Sequence, residues 1–295
     1  MNQKKGVPGR HRRLAVALLA LALLPGCSAL DEWQRRKIYR PTMVDAPAWQ
    51  ALQAGRPDVE VRRVAVRDEQ VQLLRLPAAP GRGSAVQVLF LHGTYRHAFQ
   101  NLAKAEPMRR AGMDVWLPDY RGWGASSPRL PSEQSIHEDA WAVWRALQAG
   151  AAISGPAPRW VIYGHSMGSA VAVQLAWRLR GTRSHCALVL ESAFTRFSDV
   201  AAAGAGVLGR LLTAAGSQRM DSAALIGEVD PPVWLLHGSR DDTVPLALGR
   251  RLYEMAPEPR HWVQWPLGHS DLHTDPGGGY DRTWQAIRSG CETGF

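Results

Sequence analysis

The chain has 295 residues, of which 45% are apolar, and it carries 35 Lys and Arg against 26 Asp and Glu. That length and apolar content are enough for one large α/β domain with a core of its own. Five of the basic residues lie within the first 13 positions, before any acidic residue. Without residues 1–26 the balance is 30 basic against 26 acidic groups, about +4, so the charge gives little reason to expect a nucleic-acid partner.

The N-terminal segment has the pattern of a bacterial export signal. A basic start is followed by an apolar run over 14–24 and then by small residues up to Cys27. The run is too short to span a bilayer comfortably, since a spanning helix needs roughly 20 apolar residues. The string LPGC at 24–27 resembles the lipobox of bacterial lipoproteins, in which the cysteine is lipidated, although Pro25 departs from that pattern.

The resemblance implies a signal peptide over 1–26 and a mature chain that begins at a lipidated Cys27. Ser28 stands where the lipoprotein pattern has aspartate for retention in the inner membrane, which favours the outer membrane, facing the periplasm. Residues 27–57 then form a lipid-anchored tether and lead-in. An ordinary signal peptide or an uncleaved N-terminal anchor is the alternative.

Short β-rich runs follow the tether, and from the third onward most are separated by stretches long enough for a crossover helix. The eight predicted strands lie at 59–66, 71–76, 86–91, 113–117, 160–164, 187–191, 233–236 and 261–265. This alternation predicts an α/β fold with a doubly wound, mostly parallel eight-stranded sheet in one catalytic domain over 58–295. Ligands bind beyond the carboxyl ends of the strands in such sheets, so functional residues should follow strands directly.

One pentapeptide, GHSMG at 164–168, stands directly after an apolar strand and directly before a helix. This is the pattern of a nucleophile elbow. The tight turn needs glycine beside the serine, and it lifts the hydroxyl towards the N-terminus of the helix. We predict Ser166 as the nucleophile and the N–H of Met167 as a donor to the oxyanion. A glycine-rich packing turn with an unreactive serine is the alternative.

A serine hydroxyl needs a base that is oriented by a third group. Asp241 and Asp242 lie in the loop after the predicted strand at 233–236, and His269 lies in the loop after the strand at 261–265. The order serine, acid, histidine is that of nucleophile-elbow hydrolases. We therefore predict Asp241 as the acid and His269 as the base, with Asp242 as the competitor for the acid.

A second oxyanion donor is expected, because acyl transfer develops charge on the carbonyl oxygen. The buried strand at 86–91 runs into His92-Gly93-Thr94, where the N–H of Thr94 is our candidate and that of Tyr95 the runner-up. The segment within about 195–230 is expected to form a short cap. Six further residues are expected near the substrate pocket: Tyr95, His97, Phe99, Leu208, Leu211 and Leu212. The alternative for the three leucines is that their helix packs on the sheet.

Two cysteines, Cys186 and Cys291, remain after Cys27. In an exported protein they can form a disulfide, and two buried thiols are the alternative. The sequence shows no metal-ligand spacing, no dinucleotide fingerprint and no phosphate loop, so no cofactor and no metal are expected. The oligomeric state stays open.

Taken together, the motifs resemble those of the α/β-hydrolase superfamily, from residue 38 to the C-terminus. The nearest likeness is to its serine hydrolases with a short cap, a group that includes the protein depalmitoylases and many uncharacterised bacterial members. The resemblance implies the α/β-hydrolase fold, the triad of Ser166, Asp241 and His269, and oxyanion donors at Thr94 and Met167. The matching motifs occur in order as LHGT (91–94), DYRGWGASS (119–127), GHSMGS (164–169), ESAF (191–194), HGSRDDTVP (237–245) and GHSD (268–271).

These observations predict a serine hydrolase that cleaves carboxylic ester or thioester bonds through an acyl-enzyme and is anchored in the bacterial envelope by its N-terminal lipid. Its substrate is expected to be a small-molecule or lipid-like acyl ester, with palmitoyl esters implied by the resemblance. A peptidase or acyltransferase on the same triad is one alternative. A non-catalytic envelope lipoprotein that reuses the fold is another.

Overall fold

A computed structural model describes residues 29–94, 96–151, 157–214 and 216–294. The expected signal peptide at 1–26, Cys27 and Tyr95 lie outside these ranges. Across the described ranges, no helix combines the length and hydropathy of a transmembrane span. The helices in these ranges are α1 (29–39), α2 (Ala46–Gly55), α3 (Leu102–Arg110), α4 (Glu133–Ala151), α5 (Met167–Leu179), α6 (Phe197–Ala214), α7 (Leu246–Met255) and α8 (Gly279–Thr293).

The strands of the described chain form one eight-stranded sheet with the order β1-β2-β4-β3-β5-β6-β7-β8. β2 runs antiparallel to both of its neighbours, and the other adjacent pairs are parallel. The predicted doubly wound, mostly parallel eight-stranded sheet is therefore confirmed. The strands are β1 (Glu60–Val66), β2 (Glu69–Leu76), β3 (Val86–Leu91), β4 (Asp114–Asp119), β5 (Arg159–His165), β6 (Ala187–Glu191), β7 (Val233–Gly238) and β8 (Arg260–Trp265).

Buried side chains form an apolar core on each face of the sheet. Within β5, Trp160 and Ile162 belong to one core, whereas Val161 and Tyr163 belong to the other. This alternation follows from the strand, in which successive side chains point to opposite faces. The helices α4 and α5 contribute to the first core, and α3 and α8 contribute to the second. A central strand buried on both faces reads as a continuous apolar run, as the sequence of β5 does.

The register of the parallel strands brings their carboxyl ends to one edge of the sheet. Leu91 of β3 is paired with Gly164 of β5, and Gly164 with Leu190 of β6. Farther along, Glu191 pairs with Leu236 of β7, and Gly238 pairs with Trp265 of β8. The loops that follow these five strands must therefore meet beyond the same edge.

The segment that the sequence predicts to form a cap contains α6, which is broken into two halves. Ala205 and Gly206 have non-helical dihedral angles, and Gly206 has a φ of +60°, which favours glycine. A Cβ on Gly209 would lie 2.8 Å from the Cβ of Ala205 and even closer to the carbonyl oxygen of Ala201. The second half of α6 therefore turns back and passes tightly against the first.

Two of the leucines expected at the pocket are not there. Leu208 is 69% exposed and Leu211 is 62% exposed. The expectation that they border a pocket or pack on the sheet is wrong, because most of the surface of both side chains is exposed. The side chain of Leu212 lies outside what the structure describes.

The N-terminal helix α1 is fixed against the chain that follows α6. The hydroxyl of Tyr39 donates to Oε1 of Gln218 over 2.7 Å, and Nε2 of Gln218 donates to Asp31 over 3.2 Å. The hydroxyl of Ser217 also donates to Asp31. Since Tyr39 and Gln218 are both buried, these bonds hold α1 beside the end of α6.

Cys186 and Cys291 form a disulfide, with their Cα atoms 5.3 Å apart. The two cysteines therefore form the disulfide rather than the two buried thiols that the sequence left as the alternative. The bond joins the residue before β6 to α8, and 105 positions separate the two cysteines.

Cys291→Ser is expected to lower the free energy of unfolding by about 4–5 kcal/mol, because the cross-link restricts a long loop in the unfolded chain. Urea unfolding at equilibrium measures this difference. Wild-type protein unfolded with and without a thiol reductant is the control, because reduction opens the cross-link without changing a side chain. Equal midpoints for all samples would contradict the expectation.

Candidate active site

Ser166 lies in the turn between β5 and α5 with a φ of +55° and a ψ of −123°. Such a conformation costs a non-glycine residue roughly 1–3 kcal/mol and persists only where its surroundings impose it. The N–H of Ser166 donates to the carbonyl of Glu191 over 2.9 Å, and its own carbonyl accepts from the N–H of Ser169 over 2.9 Å. Neighbouring elements thus hold the serine in a strained turn.

The two glycines of the pentapeptide are required by close backbone contacts. A Cβ at Gly164 would overlap the carbonyl oxygen of Gly168, and a Cβ at Gly168 would overlap the carbonyl oxygen of Leu91. Glycine at both positions therefore lets α5 start directly above the ends of β3 and β5. This is the physical basis of the pattern that the sequence displays.

The structure brings the hydroxyl, imidazole and carboxylate predicted from the sequence into one chain of hydrogen bonds. Nε2 of His269 lies 3.0 Å from Oγ of Ser166. Nδ1 of the same ring lies 2.8 Å from Oδ2 of Asp241 and 3.0 Å from Oδ1. In this order the imidazole can accept the serine proton while the carboxylate fixes its tautomer.

Asp241 is held as a carboxylate. Burial by itself raises its pKa, but the hydrogen bond and charge of His269, the N–H of Val244 and the hydroxyl of Ser192 outweigh burial and keep the pKa below its usual value of 3.8. Oδ1 accepts from the N–H groups of Thr243 and Val244 over 3.0 and 2.8 Å. Oδ2 is the carboxylate oxygen that lies nearer to Nδ1 of His269.

The competing carboxylate, Asp242, is exposed. Its Oδ1 accepts from the hydroxyl of Thr243 over 3.2 Å. The hydrogen bond to the imidazole goes to Asp241, so the geometry favours Asp241 as the acid.

Two further side chains fix the loop that carries His269. Nε2 of His165 lies 3.0 Å from the carbonyl oxygen of His269, and Oγ of Ser192 donates to the same oxygen over 3.1 Å. Burial, and then the charges of Lys104 and His269, hold the pKa of His165 well below 6.5, so its ring is neutral and Nε2–H is the donor. Ser192 was not predicted to be a site residue, although its position directly after β6 could have indicated such a role.

Both predicted oxyanion donors lie beside Ser166. Met167 is the first residue of α5, and the first N–H groups of a helix have no partner within it. Thr94 lines the same cleft as Ser166 and Met167. A Cβ added to Gly93 would lie 3.1 Å from the Cβ of Ser166, so the turn after β3 approaches the serine closely. The role of the two N–H groups remains a prediction.

A buried ionic network lies behind the serine. The side chains of Lys104 and Glu191 form an ion pair in which both are buried. Oε2 of Glu191 also accepts from the hydroxyls of Tyr163 and Tyr280 over 2.9 and 2.6 Å. Because the backbone carbonyl of Glu191 holds the N–H of Ser166, this network supports the strained turn directly.

Lys104→Met is expected to destabilise the protein by about 3–5 kcal/mol, because it leaves a buried carboxylate without its cation. Urea unfolding monitored by circular dichroism measures the change. Lys37→Met is the matched control, since Lys37 is exposed and is expected to leave the unfolding midpoint in place. Equal midpoints for the two variants would show that the ion pair contributes nothing.

A cleft of about 350 Å³ opens at Ser166. His97 and Phe99, which were expected to line the pocket, are buried and do not line this cleft, so that expectation is wrong. Among the described residues, its lining contains two cations, Lys37 and Arg40, and no carboxylate. Its apolar wall consists of Ile38, Met167, Phe194, Phe197, Val200, Ala201 and Val244.

The residues that the structure describes include no cluster of three or more His, Cys, Asp or Glu placed to hold a metal ion.

Comparison with known sequences gives matches over much of the chain. The profile of the family described as serine aminopeptidase, S33, matches residues 84–225. An uncharacterized protein of Mycobacterium tuberculosis is 36% identical over 265 residues, which are 87% of each chain. The lysophosphatidylserine lipase ABHD12 of Danio rerio is 32% identical over 197 residues, 60% of this chain and 50% of the lipase. This chain thus matches about half the length of that lipase.

Solved structures match the fold at low sequence identity. The esterase Pf2001 of Pyrococcus furiosus superposes with a TM-score of 0.66 and 17% identity, over 85% of this chain and 97% of the esterase. An α/β hydrolase from Vibrio vulnificus gives a TM-score of 0.68 and 18% identity, over 85% and 91% of the two chains. At these identities the likeness concerns the fold alone.

Proposed function

Because this chain belongs to the α/β-hydrolase superfamily and is a serine hydrolase, we propose that it cleaves carboxylic ester or thioester bonds through an acyl-enzyme on Ser166. The observation that carries the proposal is the hydrogen-bonded series from Ser166 through His269 to Asp241. The similarity to the lysophosphatidylserine lipase supports an acyl ester as the substrate class.

The proposed reaction has two halves. As Oγ of Ser166 attacks the acyl carbon, its proton moves to Nε2 of His269 and the carbonyl electron pair moves to the oxygen. The N–H groups of Thr94 and Met167 are proposed to face that oxyanion. Collapse expels the alkoxide or thiolate, which takes the proton from His269. Water then repeats the sequence on the acyl-enzyme and releases the acid and the free serine.

The composition of the cleft argues against an aminopeptidase. Such an enzyme must bind a protonated amino terminus, which calls for a carboxylate near the serine. Among the described residues that line the cleft, Lys37 and Arg40 provide positive charge and no carboxylate is present. Like charges in one site repel, so a cationic substrate is disfavoured and a neutral or anionic acyl ester is favoured.

We further propose that the protein is exported and anchored in the bacterial envelope through a lipid on Cys27. The basic start, the apolar run over 14–24 and the LPGC string support export and lipidation. The disulfide between Cys186 and Cys291 supports an oxidising compartment, in which such bonds persist. Radiolabelled palmitate should be incorporated by the wild type in a bacterial host and not by Cys27→Ala.

A series of p-nitrophenyl esters from acetate to palmitate, with matching thioesters and aminoacyl p-nitroanilides, tests the reaction class. Turnover of esters or thioesters far above that of the anilides is expected, and the chain-length profile then defines the acyl preference. Preferential cleavage of the anilides would replace the proposal with a peptidase. A folded protein that turns over none of them would favour the non-catalytic binding lipoprotein.

A further inference from the structure

The cap carries apolar side chains that no described residue covers. Val207, Leu208 and Leu211 are 75%, 69% and 62% exposed, and we call these three residues the cap tip. Residues 203–206, directly before them, are small and also exposed. Large exposed apolar side chains that lie together mark an interaction surface rather than ordinary surface variation.

A second exposed apolar surface lies on α1. Leu30 and Trp33 are 42% and 51% exposed, and Lys37 follows at the spacing that places all three on one face of the helix. We call these three residues the α1 stripe. Lys37 also lines the Ser166 cleft, so the stripe leads along α1 to the mouth of the cleft.

The cap tip and the α1 stripe lie on α6 and α1, two helices that both contribute residues to the Ser166 cleft. Val200, Ala201 and Thr213 of α6 line the cleft together with Lys37 at the end of α1. The bonds from Asp31 and Tyr39 to the chain after α6 hold the two elements together. A partner that covers both surfaces would therefore contact two elements that line the Ser166 cleft.

We propose that the cap tip and the α1 stripe dock on a lipid bilayer, so that the cleft opens at the lipid surface and receives acyl esters resident in the bilayer. The choice of such esters rests on the proposed function. Docking itself depends on the exposed surfaces and on the chain that precedes α1.

The sequence before α1 supports a bilayer as the occupant. The apolar run ends at residue 24 and α1 is helical from residue 29, so five residue steps of at most about 3.6 Å each separate them. If the run enters lipid, or a lipid is attached at Cys27, the first residue of α1 lies within about 18 Å of the surface. The bilayer would then cover both apolar surfaces, and no protein partner would be needed.

Charge favours a bilayer over a second copy of this chain. Lys37 and Arg210 are exposed beside the two apolar surfaces. In a two-fold interface the same patch faces itself, which would bring these cations towards their counterparts. Anionic lipid headgroups instead attract them.

The first test reports where the cap tip lies. An NBD fluorophore is attached to Leu208→Cys in the full chain with Cys27→Ser, and the protein is mixed with vesicles of phosphatidylglycerol and phosphatidylethanolamine. A blue shift and a several-fold rise in emission are expected. The same probe on Met255→Cys, an exposed residue of α7, is the control and should not respond. Bound protein without a shift at 208, or protein that does not bind vesicles, would overturn the proposal.

A shift at 208 that depends on protein concentration and occurs without vesicles would also overturn the proposal, in favour of a second copy. Ester turnover is measured in parallel on the unmodified chain. An absence of turnover together with a vesicle-dependent shift would contradict the proposed function and leave docking in place.

The second test links docking to substrate delivery. The double variant Leu208→Ser, Leu211→Ser should lower the ratio of vesicle-borne ester turnover to soluble ester turnover by about tenfold or more. The reason is that two leucine side chains no longer become buried in the lipid. Met255→Ser removes another exposed apolar side chain, on α7, and should leave that ratio unchanged. An unchanged ratio in the double variant would contradict delivery from the bilayer.

Discussion

Replacing Ser166 with alanine is expected to lower kcat for ester hydrolysis by roughly 10⁶-fold, about as much as removal of a whole triad. The hydroxyl is the atom that forms the acyl bond, and water cannot take its place in the strained turn with the same orientation. The fold should persist, because Oγ is only partly buried and bonds to the side chain of His269. Steady-state kinetics on purified protein measure the loss.

Ser222→Ala is the matched control for this variant. Ser222 is a buried serine whose hydroxyl has no hydrogen-bond partner among the described residues, so its loss should leave kcat near that of the wild type. Circular dichroism of both variants checks that the fold is retained. A Ser166→Ala protein that keeps most of its activity would remove Ser166 from the reaction.

Asp241→Asn is expected to lower kcat by about 10⁴-fold while the fold is retained. Oδ1 accepts from Thr243 and Val244, and an asparagine oxygen can keep both bonds. The amide nitrogen would then face Nδ1 of His269 as a donor. That arrangement forces the proton of the ring onto Nε2, which can no longer accept the proton of Ser166.

The neighbouring variant Asp242→Asn makes this prediction specific. Asp242 is exposed and bonds to the hydroxyl of Thr243, so the change should leave kcat almost as it is. Kinetics of the two variants over the same pH range test the assignment. A larger loss in Asp242→Asn than in Asp241→Asn would reverse it.

The fold was readable from the sequence because a parallel sheet buried on both faces gives short apolar runs separated by helix-length stretches. All eight strands were predicted, but several of the predicted strand ends differ from the observed ones. The fourth was predicted to end at residue 117. In the structure Pro118 pairs in register with Leu73 of β2, and β4 continues to Asp119.

The site was predictable to the extent that it depends on positions after strands. Ser166, Asp241 and His269 each follow a strand, and the common edge of the sheet brings them together. The Lys104–Glu191 pair joins α3 to β6 across 87 positions, and no local pattern reveals such a contact. The exposure of Leu208 could not be predicted from the sequence either. The spacing of apolar residues around Leu208 indicates a buried helix face, whereas the break at Gly206 determines which way that face points.

Covalent labelling by a fluorophosphonate probe, followed by mass spectrometry of the labelled peptide, tests the central claim most directly. Stoichiometric labelling at Ser166 is expected in the wild type and almost none in His269→Ala, since the probe reports a serine activated by its base. Folded wild-type protein that stays unlabelled, or that is labelled at another residue, would contradict it.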